Sequence, residues 1–278
     1  MSNYLHLFET QAAHDAVYNG SGYTEPWTAL VTANNSISYN NPEYKLRSTP
    51  LTFEITSDGN IVWKAITSNS AKTIEYKKNN GDWTSITSTT NGVTIPVVSG
   101  DTVQFRGNNI TYGDSYMNEY NYFSGTTAGF KLKGNIMSLI NSTNFATLTA
   151  FDSASYGTFT YLFYNCTGLT DASNLILPAT TLSYGSYQAM FYKCSNLIIA
   201  PKLPAATLTS SCYKWMFYNC TNLNNVTCLA TNIAASSCLG TWLNNVSSTG
   251  TFTKAASMTS WPSGASGIPT GWTVQDAS

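Results

Sequence analysis

The fold is decided by a motif that occurs three times, as Phe163-Tyr164-Asn165-Cys166, Phe191-Tyr192-Lys193-Cys194 and Phe217-Tyr218-Asn219-Cys220. Its cysteines are 28 and then 26 residues apart. A second block recurs in register, because Leu175-Ile176-Leu177-Pro178-Ala179-Thr180-Thr181-Leu182 matches Lys202-Leu203-Pro204-Ala205-Ala206-Thr207-Leu208. Two blocks that recur in the same order predict a repeated structural unit.

A weaker copy of the motif, Trp242-Leu243-Asn244-Asn245-Val246, follows one period later. A period of 20–29 residues is typical of leucine-rich coils, each too small to bury its own apolar face. Stacked coils share one core and present long, regular surfaces instead of a deep pocket. The repeat therefore predicts a binding or structural role.

The composition is poor in charge. Charged residues are 10% of the chain, against roughly a quarter in ordinary globular proteins. Residues 151–278 contain only Asp152, Asp171, Asp276 and four lysines as charged residues. A surface of hydroxyls, amides and aromatic rings is typical of exported or particle-bound β proteins, whereas cytosolic enzymes rely on charge for solubility.

Several function classes are disfavoured by charge and hydropathy. The net charge is −1 and no cluster of Lys and Arg occurs, so we expect no nucleic-acid partner. No apolar run approaches the roughly 18 residues of a membrane span. The segment Met1–Glu9 lacks the basic and apolar regions of a signal peptide, so we expect assembly in a reducing cytosol.

The six cysteines admit two interpretations. An even count could form three disulfides. However, Cys166, Cys194 and Cys220 share one column of the repeat, and Cys212 and Cys238 share another. Equivalent positions of stacked coils point inward, where a free cysteine behaves as a small hydrophobic residue. We therefore expect buried thiols, with disulfides as the alternative.

The chain divides into three predicted domains, and the fold class is mainly β. Residues 1–47 form a small α+β docking unit that is too small to be very stable alone. We predict a strand at Tyr4–Phe8, a helix at Gln11–Tyr18 capped by Thr10, and a hairpin of Trp27–Ala33 with Ser36–Asn40. The candidate docking surface consists of Phe8, Trp27 and Tyr39.

Residues 48–128 are predicted to form an immunoglobulin-like β-sandwich with a tyrosine-rich connector. Short runs at regular spacing predict the strands Leu51–Ile55, Ile61–Trp63, Thr73–Lys78, Val93–Val98 and Thr102–Arg106. Pro96 predicts that its strand is at an edge. Residues 111–128 contain four tyrosines, which either pack between domains or form a contact loop.

Residues 129–278 are predicted to form a leucine-rich-repeat solenoid with a C-terminal cap. The end of a solenoid exposes an open core, so its terminal repeat needs a cover. The tail is rich in Gly, Pro and Trp, and Trp261 and Trp272 are the candidates for this cap.

The two repeated blocks resemble the BspA-like leucine-rich repeats of bacterial surface proteins. The resemblance covers residues 159–246, and Val246 and Ala230 depart from it in the last repeat. It implies three groups of core residues besides the cysteine column. These are Phe159, Tyr187 and Tyr213; Leu162, Met190 and Met216; and Phe163, Phe191 and Phe217.

The whole layout resembles virion proteins of gut Bacteroides bacteriophages, including the crAss-like group. The N-terminal residues that carry this resemblance are Tyr4–Phe8, Tyr18–Gly20 and Glu25–Trp27. It implies that residues 1–45 fasten the chain to a capsid or tail and that the repeats face outward.

No catalytic or metal-binding signature occurs in the sequence, so we expect no enzyme and no cofactor. Only His6 and His14 are histidines, and neither Gly-x-Ser-x-Gly nor Cys-x-x-Cys occurs. A tail glycosidase needs two carboxylates. Asp152 and Asp171 stand in turn-like contexts, where Asp usually binds its own backbone.

We therefore predict a non-enzymatic virion protein, a head fibre or capsid decoration, located at the virion surface. The predicted partners are capsid or tail proteins of the same virion, further copies of this chain, and a host-surface glycan or protein. The alternative is an adhesin or glycan-binding protein on the bacterial cell surface.

The candidate distal contact surface is a pair of columns on the repeats. If the phenylalanines of the motif point inward, the next residue alternates outward, which exposes Tyr164, Tyr192 and Tyr218. A second column contains Tyr161, Ala189 and Trp215. These aromatic residues either bind a partner or stabilise the repeats by stacking.

Overall fold

The computed structural model of the protein describes residues 42–114, 116, 118–152 and 155–277. The chain divides into two compact units, Met1–Lys45 and Leu46–Ser278. The predicted strand, helix and hairpin of the first unit, with Phe8, Trp27 and Tyr39, lie outside the described residues. The description below concerns the second unit, together with the short helix α1, Pro42–Arg47, that leads into it.

The second unit is mainly β. Short 3-10 helices occur at Ser68–Ser70, Ile136–Leu139 and Phe145–Thr147. The strands are β1 Leu51–Ser57, β2 Gly59–Ala65, β3 Thr73–Lys78, β4 Thr84–Thr87, β5 Val93–Val97, β6 Thr102–Arg106, β7 Asn121–Tyr122, β8 Gly129–Asn135, β9 Leu169–Ile176, β10 Asn225–Cys228, β11 Gly250–Lys254 and β12 Trp272–Asp276. The bounds of β3 and β6 are those predicted, whereas β4 and β7 were not predicted.

Residues 48–128 contribute to two open sheets. One has the strand order β4-β3-β6-β1-β8-β9 and the other β5-β2-β7. Alternate residues face the shared core, as Phe53 of β1 and Trp63 of β2 show. Pro96 lies on β5, an edge strand, as predicted, because proline has no N–H to donate to a second neighbour.

The larger sheet joins strands from both sides of the predicted domain boundary at residue 128. β8 pairs antiparallel with β1 and parallel with β9. Parallel bridges then connect Asp171 to Ile199 and Ile199 to Asn225, and β10, β11 and β12 continue in parallel. One side of every repeat is therefore hydrogen-bonded to the next repeat along the chain.

The repeated motif lies in a second ladder, which consists of turns. We call residues 157–166, 185–194, 211–220 and 237–246 the turn ladder. Within a repeat, the N–H of Tyr164 donates to Tyr161 O at 2.8 Å. The neighbouring N–H of Phe163 donates to Met190 O of the next repeat at 2.9 Å. The motif was predicted to alternate like a strand, and this was wrong because it lies in turns. A period of two is found in the hydrogen bonding, since alternate amides donate within the repeat and to the next repeat.

Every fourth residue of the turn ladder has a positive φ. The residues are Gly157, Tyr161 and Asn165; Gly185, Ala189 and Lys193; Ser211, Trp215 and Asn219; and Ser237, Thr241 and Asn245. Outside glycine this conformation costs about 1–2 kcal/mol per residue, and Asn tolerates it best. The hydrogen bonds between repeats offset this cost, and Asn occupies the last position in three of the four repeats.

The core is continuous from the two open sheets to the last repeat. Phe163 stacks on Phe123 with 5.8 Å between ring centroids and on Phe191 with 5.3 Å, and Phe191 stacks on Phe217 with 5.5 Å. A second series of stacked rings contains the buried Tyr112, Phe159, Tyr187, Tyr213 and Trp242 and ends at the partly buried Trp261. All the core positions implied by the resemblance are buried.

The tyrosine-rich connector covers the first repeat. Its Tyr112 N–H donates to Thr158 O and its Phe123 N–H donates to Leu162 O, each at 2.8 Å. Tyr112 is fully buried, and its hydroxyl donates to Leu139 O at 2.7 Å. Tyr112 therefore packs between Trp63 of β2 and Phe159 of the first repeat.

At the other end, the two predicted tryptophans cover the last repeat. Trp272 is buried, and its Nε1–H donates to Ser247 O at 2.8 Å. Trp261 stacks on Trp242 with 6.1 Å between ring centroids and meets Phe252 edge to face. The indole rings thus shield the apolar side chains of the final repeat.

All six cysteines are buried and free. The thiol of Cys194 donates to Phe163 O of the preceding repeat at 3.0 Å, and Cys220 donates to Phe191 O at the same distance. Burial raises the pKa of Cys194 to about 12. The cysteine column therefore adds a side-chain hydrogen bond between repeats where an alanine would add none.

We predict that the positive φ of Lys193 makes the fold sensitive to residue shape there. Lys193→Val should lower the free energy of unfolding by about 1–2 kcal/mol, because a β-branched residue resists this conformation. Lys193→Asn should leave the free energy of unfolding unchanged or raise it slightly, because Asn tolerates a positive φ. Denaturant titration measures both. Lys202→Val, at an exposed position without positive φ, is the control, and equal losses at the two lysines would contradict the prediction.

We also predict that the thiols react only when the chain unfolds. Titration with a thiol reagent in denaturant without reductant should count six, and the folded protein at pH 8 should react slowly. A count of two or none would show disulfides.

The same burial predicts a pH dependence. Below pH 9 the thiol of Cys194 is protonated in both the folded and the unfolded protein. Above pH 9 this thiol ionises in the unfolded chain before it does in the folded protein, so the free energy of unfolding falls as the pH rises towards 12. The melting temperatures at pH 8 and pH 10 should differ less for Cys194→Ala than for the unmodified protein.

Candidate functional site

The described residues contain no group of three or more His, Cys, Asp or Glu side chains that could hold a metal ion. Asp171 lies in strand β9, not in a turn, but its carboxylate does accept a backbone N–H, that of Ser173 at 2.8 Å. Among the described helices, none has the length and apolar character that a membrane crossing needs.

A continuous group of tyrosine rings, half-buried except for the buried Tyr122, extends along the repeats, and we call it the tyrosine row. Its members are Tyr120, Tyr122, Tyr161, Tyr164, Tyr192 and Tyr218. Ring centroids are 4.8 Å apart for Tyr120 and Tyr161, and 5.0 Å apart for Tyr192 and Tyr218. The row therefore extends from the connector across three repeats.

The predicted column of Tyr164, Tyr192 and Tyr218 is half-buried, and it forms the distal part of the row. The rings of Tyr192 and Tyr218 are nearly parallel, with 4° between their planes. Two rings stacked in this way cover each other's faces. A partner would therefore meet ring edges and hydroxyl groups more than open ring faces.

Packing changes the titration of the tyrosines nearest the connector. Burial, with the neighbouring Tyr122 as a smaller cause, raises the pKa of Tyr120 to about 12. Burial also raises the pKa values of Tyr122 and Tyr161. These hydroxyls remain protonated at physiological pH, so the row presents neutral groups that both donate and accept hydrogen bonds.

The second predicted column is not a continuous surface. Tyr161 belongs to the tyrosine row, and Trp215 is half-buried with the Lys214 ammonium 4.3 Å from its ring centroid. Ala189, however, is fully buried, so its predicted outward position was wrong. The reason is that these residues occupy a positive-φ turn position, where exposure depends on side-chain size, not on alternation along a strand.

A cleft of about 640 Å³, which we call the junction cleft, lies between the connector and the first two repeats. Its lining residues all have neutral side chains or none. They are Ser57, Gly125, Thr126, Thr127, Gly129, Asn165, Thr167, Gly168, Thr170 and Asn196. The cleft was not predicted, because its walls come from segments that are up to 139 positions apart in the sequence.

Tyr120 and Tyr122 were absent from the two predicted columns, although a contact loop was one of the two roles predicted for residues 111–128. Their signal was present in the sequence, as the density of tyrosines between residues 111 and 128. Comparison of the chain with protein-family models, curated proteins and solved structures gave no match. The functional argument therefore depends on the chain's own residues.

We predict that the tyrosine row contributes to stability through its rings and not through its hydroxyls. Tyr192→Ala should lower the free energy of unfolding by about 1–3 kcal/mol, because it removes stacking contacts to neighbouring rings. Tyr192→Phe should change it little. Tyr184→Ala is the control, since Tyr184 is 39% exposed and its ring meets only Tyr156 within the described residues. A loss at Tyr184 as large as at Tyr192 would contradict this role of the row.

Proposed function

We propose that this protein is a non-enzymatic structural protein of a bacteriophage particle, a head fibre or capsid decoration that displays a repeat domain. The observation that carries the proposal is the tyrosine row, a continuous aromatic surface on a regular scaffold. Tyrosine combines large contact area with few rotatable bonds, which suits it to recognition surfaces.

The display domain in this proposal is a solenoid of BspA-like leucine-rich repeats. Its support is the hydrogen bonding between successive repeats, in the parallel strands and in the turn ladder. The recurrence of the aromatic and cysteine positions at a spacing of 26–28 residues supports it further. In the same proposal residues 48–128 are an immunoglobulin-like sandwich, supported by two facing sheets with mostly antiparallel strands.

Residues 1–45 are the proposed anchor, and capsid or tail proteins of the same virion are its proposed partners. The support is the resemblance of the N-terminal residues to phage virion proteins and the division of the chain after Lys45. In this proposal the repeats face outward, several copies decorate one particle, and the tyrosine row contacts a host-surface glycan or protein.

The competing proposal is a bacterial adhesin or glycan-binding protein that uses the same repeats. A low-charge aromatic surface serves this role equally well, so the row alone does not separate the two. They differ in location, because a virion protein copurifies with particles and an adhesin stays with the cell envelope.

We predict that deletion of residues 1–45 abolishes incorporation into particles while Leu46–Ser278 stays folded, because that segment is a compact unit with its own core. Mass spectrometry of purified particles measures incorporation, and circular dichroism checks the fold. The control is Tyr192→Phe with Tyr218→Phe, which keeps the stacked rings and should be incorporated normally.

Two outcomes would contradict the proposal. Normal incorporation of the deletion variant would remove the anchor from residues 1–45. Recovery of the full chain only in the cell envelope, with none in particles, would favour the adhesin.

A further inference from the structure

The junction cleft is an open depression where the connector meets the repeats, and six of its ten lining residues are exposed. Its volume of about 640 Å³ would accept one small polar ligand, since small-molecule sites span roughly 300–1,000 Å³. Residues 125–129 of the connector form one wall, and Asn165–Thr170 with Asn196 form the other.

The walls of the cleft are held in place by hydrogen bonds and close packing. Thr127 Oγ1 accepts the Asn60 N–H at 3.0 Å. Asn196 Nδ2 donates to Thr167 O at 2.8 Å, which joins two neighbouring repeats within one wall of the cleft. A Cβ on Gly168 would lie 2.0 Å from Ala128 O, so only glycine allows the two walls to meet at this point. The cleft is therefore preformed and does not require an ordering step on binding.

Two exposed polar groups in the cleft have no intramolecular partner among the described residues and face solvent, namely the side-chain amide of Asn165 and the hydroxyl of Thr167. At the equivalent ladder position two repeats on, Asn219 Oδ1 accepts from Asn245 Nδ2 at 2.9 Å. Lys193 occupies the position between them and interrupts this series of amides. The amide of Asn165 is thus left free to bind a ligand.

The chemistry of the cleft selects the class of ligand. None of the lining side chains is charged, so an ionic ligand would lose hydration without gaining a counter-charge. Free amide and hydroxyl groups pair well with vicinal hydroxyls, because each can donate and accept. Tyr164, which precedes Asn165, continues this neutral surface into the tyrosine row.

We infer that the junction cleft binds one unit of a neutral saccharide, with the side chains of Asn165 and Thr167 as its hydrogen-bonding groups. The inference deepens the proposed display role and rests on it, since it names the chemistry of the surface that the repeats contact. The remainder of a longer glycan lies along the tyrosine row, where it meets hydroxyls and ring edges.

Saturation-transfer NMR on the full chain tests this, with maltohexaose, cellohexaose, mannohexaose and chitohexaose as neutral probes and hexagalacturonate as the acidic one. At least one neutral probe should receive saturation. Asn165→Gly keeps the positive φ and removes only the amide, so we expect about tenfold weaker binding, as for one lost hydrogen bond. Thr167→Trp fills the cleft from an exposed position and should abolish binding. Asn219→Gly is the matched control and should bind like the unmodified chain.

Three results would overturn the inference: no saturation of any neutral probe, binding of hexagalacturonate alone, or neutral-probe binding that neither Asn165→Gly nor Thr167→Trp weakens. Melting temperatures of the variants show whether a loss comes from unfolding. Incorporation into particles does not involve the cleft, so failure here and failure of the display role are separate results.

Discussion

The structure depends on the hydrogen bonds that join each repeat to the next. In the turn ladder every second amide crosses to the following repeat, as Phe163 N–H does to Met190 O, and on another side of the repeats parallel strands do the same. Parallel hydrogen bonding holds neighbouring backbones roughly 5 Å apart. Equivalent rings must then stack, and the 5.3 and 5.5 Å separations of the phenylalanine rings follow from this spacing.

The same spacing explains why the candidate contact surface is also structural. Tyr192 and Tyr218 stack because their backbones are hydrogen-bonded at this distance, so the rings are ordered before any partner arrives. An ordered ring loses little conformational entropy on binding. The junction cleft has a similar origin, since the interruption of the amide series by Lys193 leaves Asn165 unpaired next to the connector. The contacts that stabilise the repeats therefore also shape the candidate contact surface.

Much of the core could be predicted from the sequence, because a repeat places equivalent residues in equivalent environments. The burial of Phe163, Phe191 and Phe217 follows from their recurrence alone. The turns could not be predicted, because the motif also fits a strand, whereas in each repeat two adjacent residues are buried, as Leu162 and Phe163 are. Ala189 was misplaced because strand-like alternation does not hold in these turns. The connector packs over the first repeat, and the walls of the junction cleft meet, through contacts between residues that are distant in sequence. A local sequence pattern does not predict such contacts.

The two ends of the repeat array differ in a way that affects its dynamics. The first repeat is joined through β8 and β9 to the six-stranded sheet, whereas β12 is an edge strand of the three-stranded sheet. Where repeats are hydrogen-bonded to their neighbours, opening begins at the less supported end. Amide protons should therefore exchange fastest near β12 and progressively more slowly towards β8. Addition or loss of a repeat at the β12 end would leave the six-stranded sheet intact.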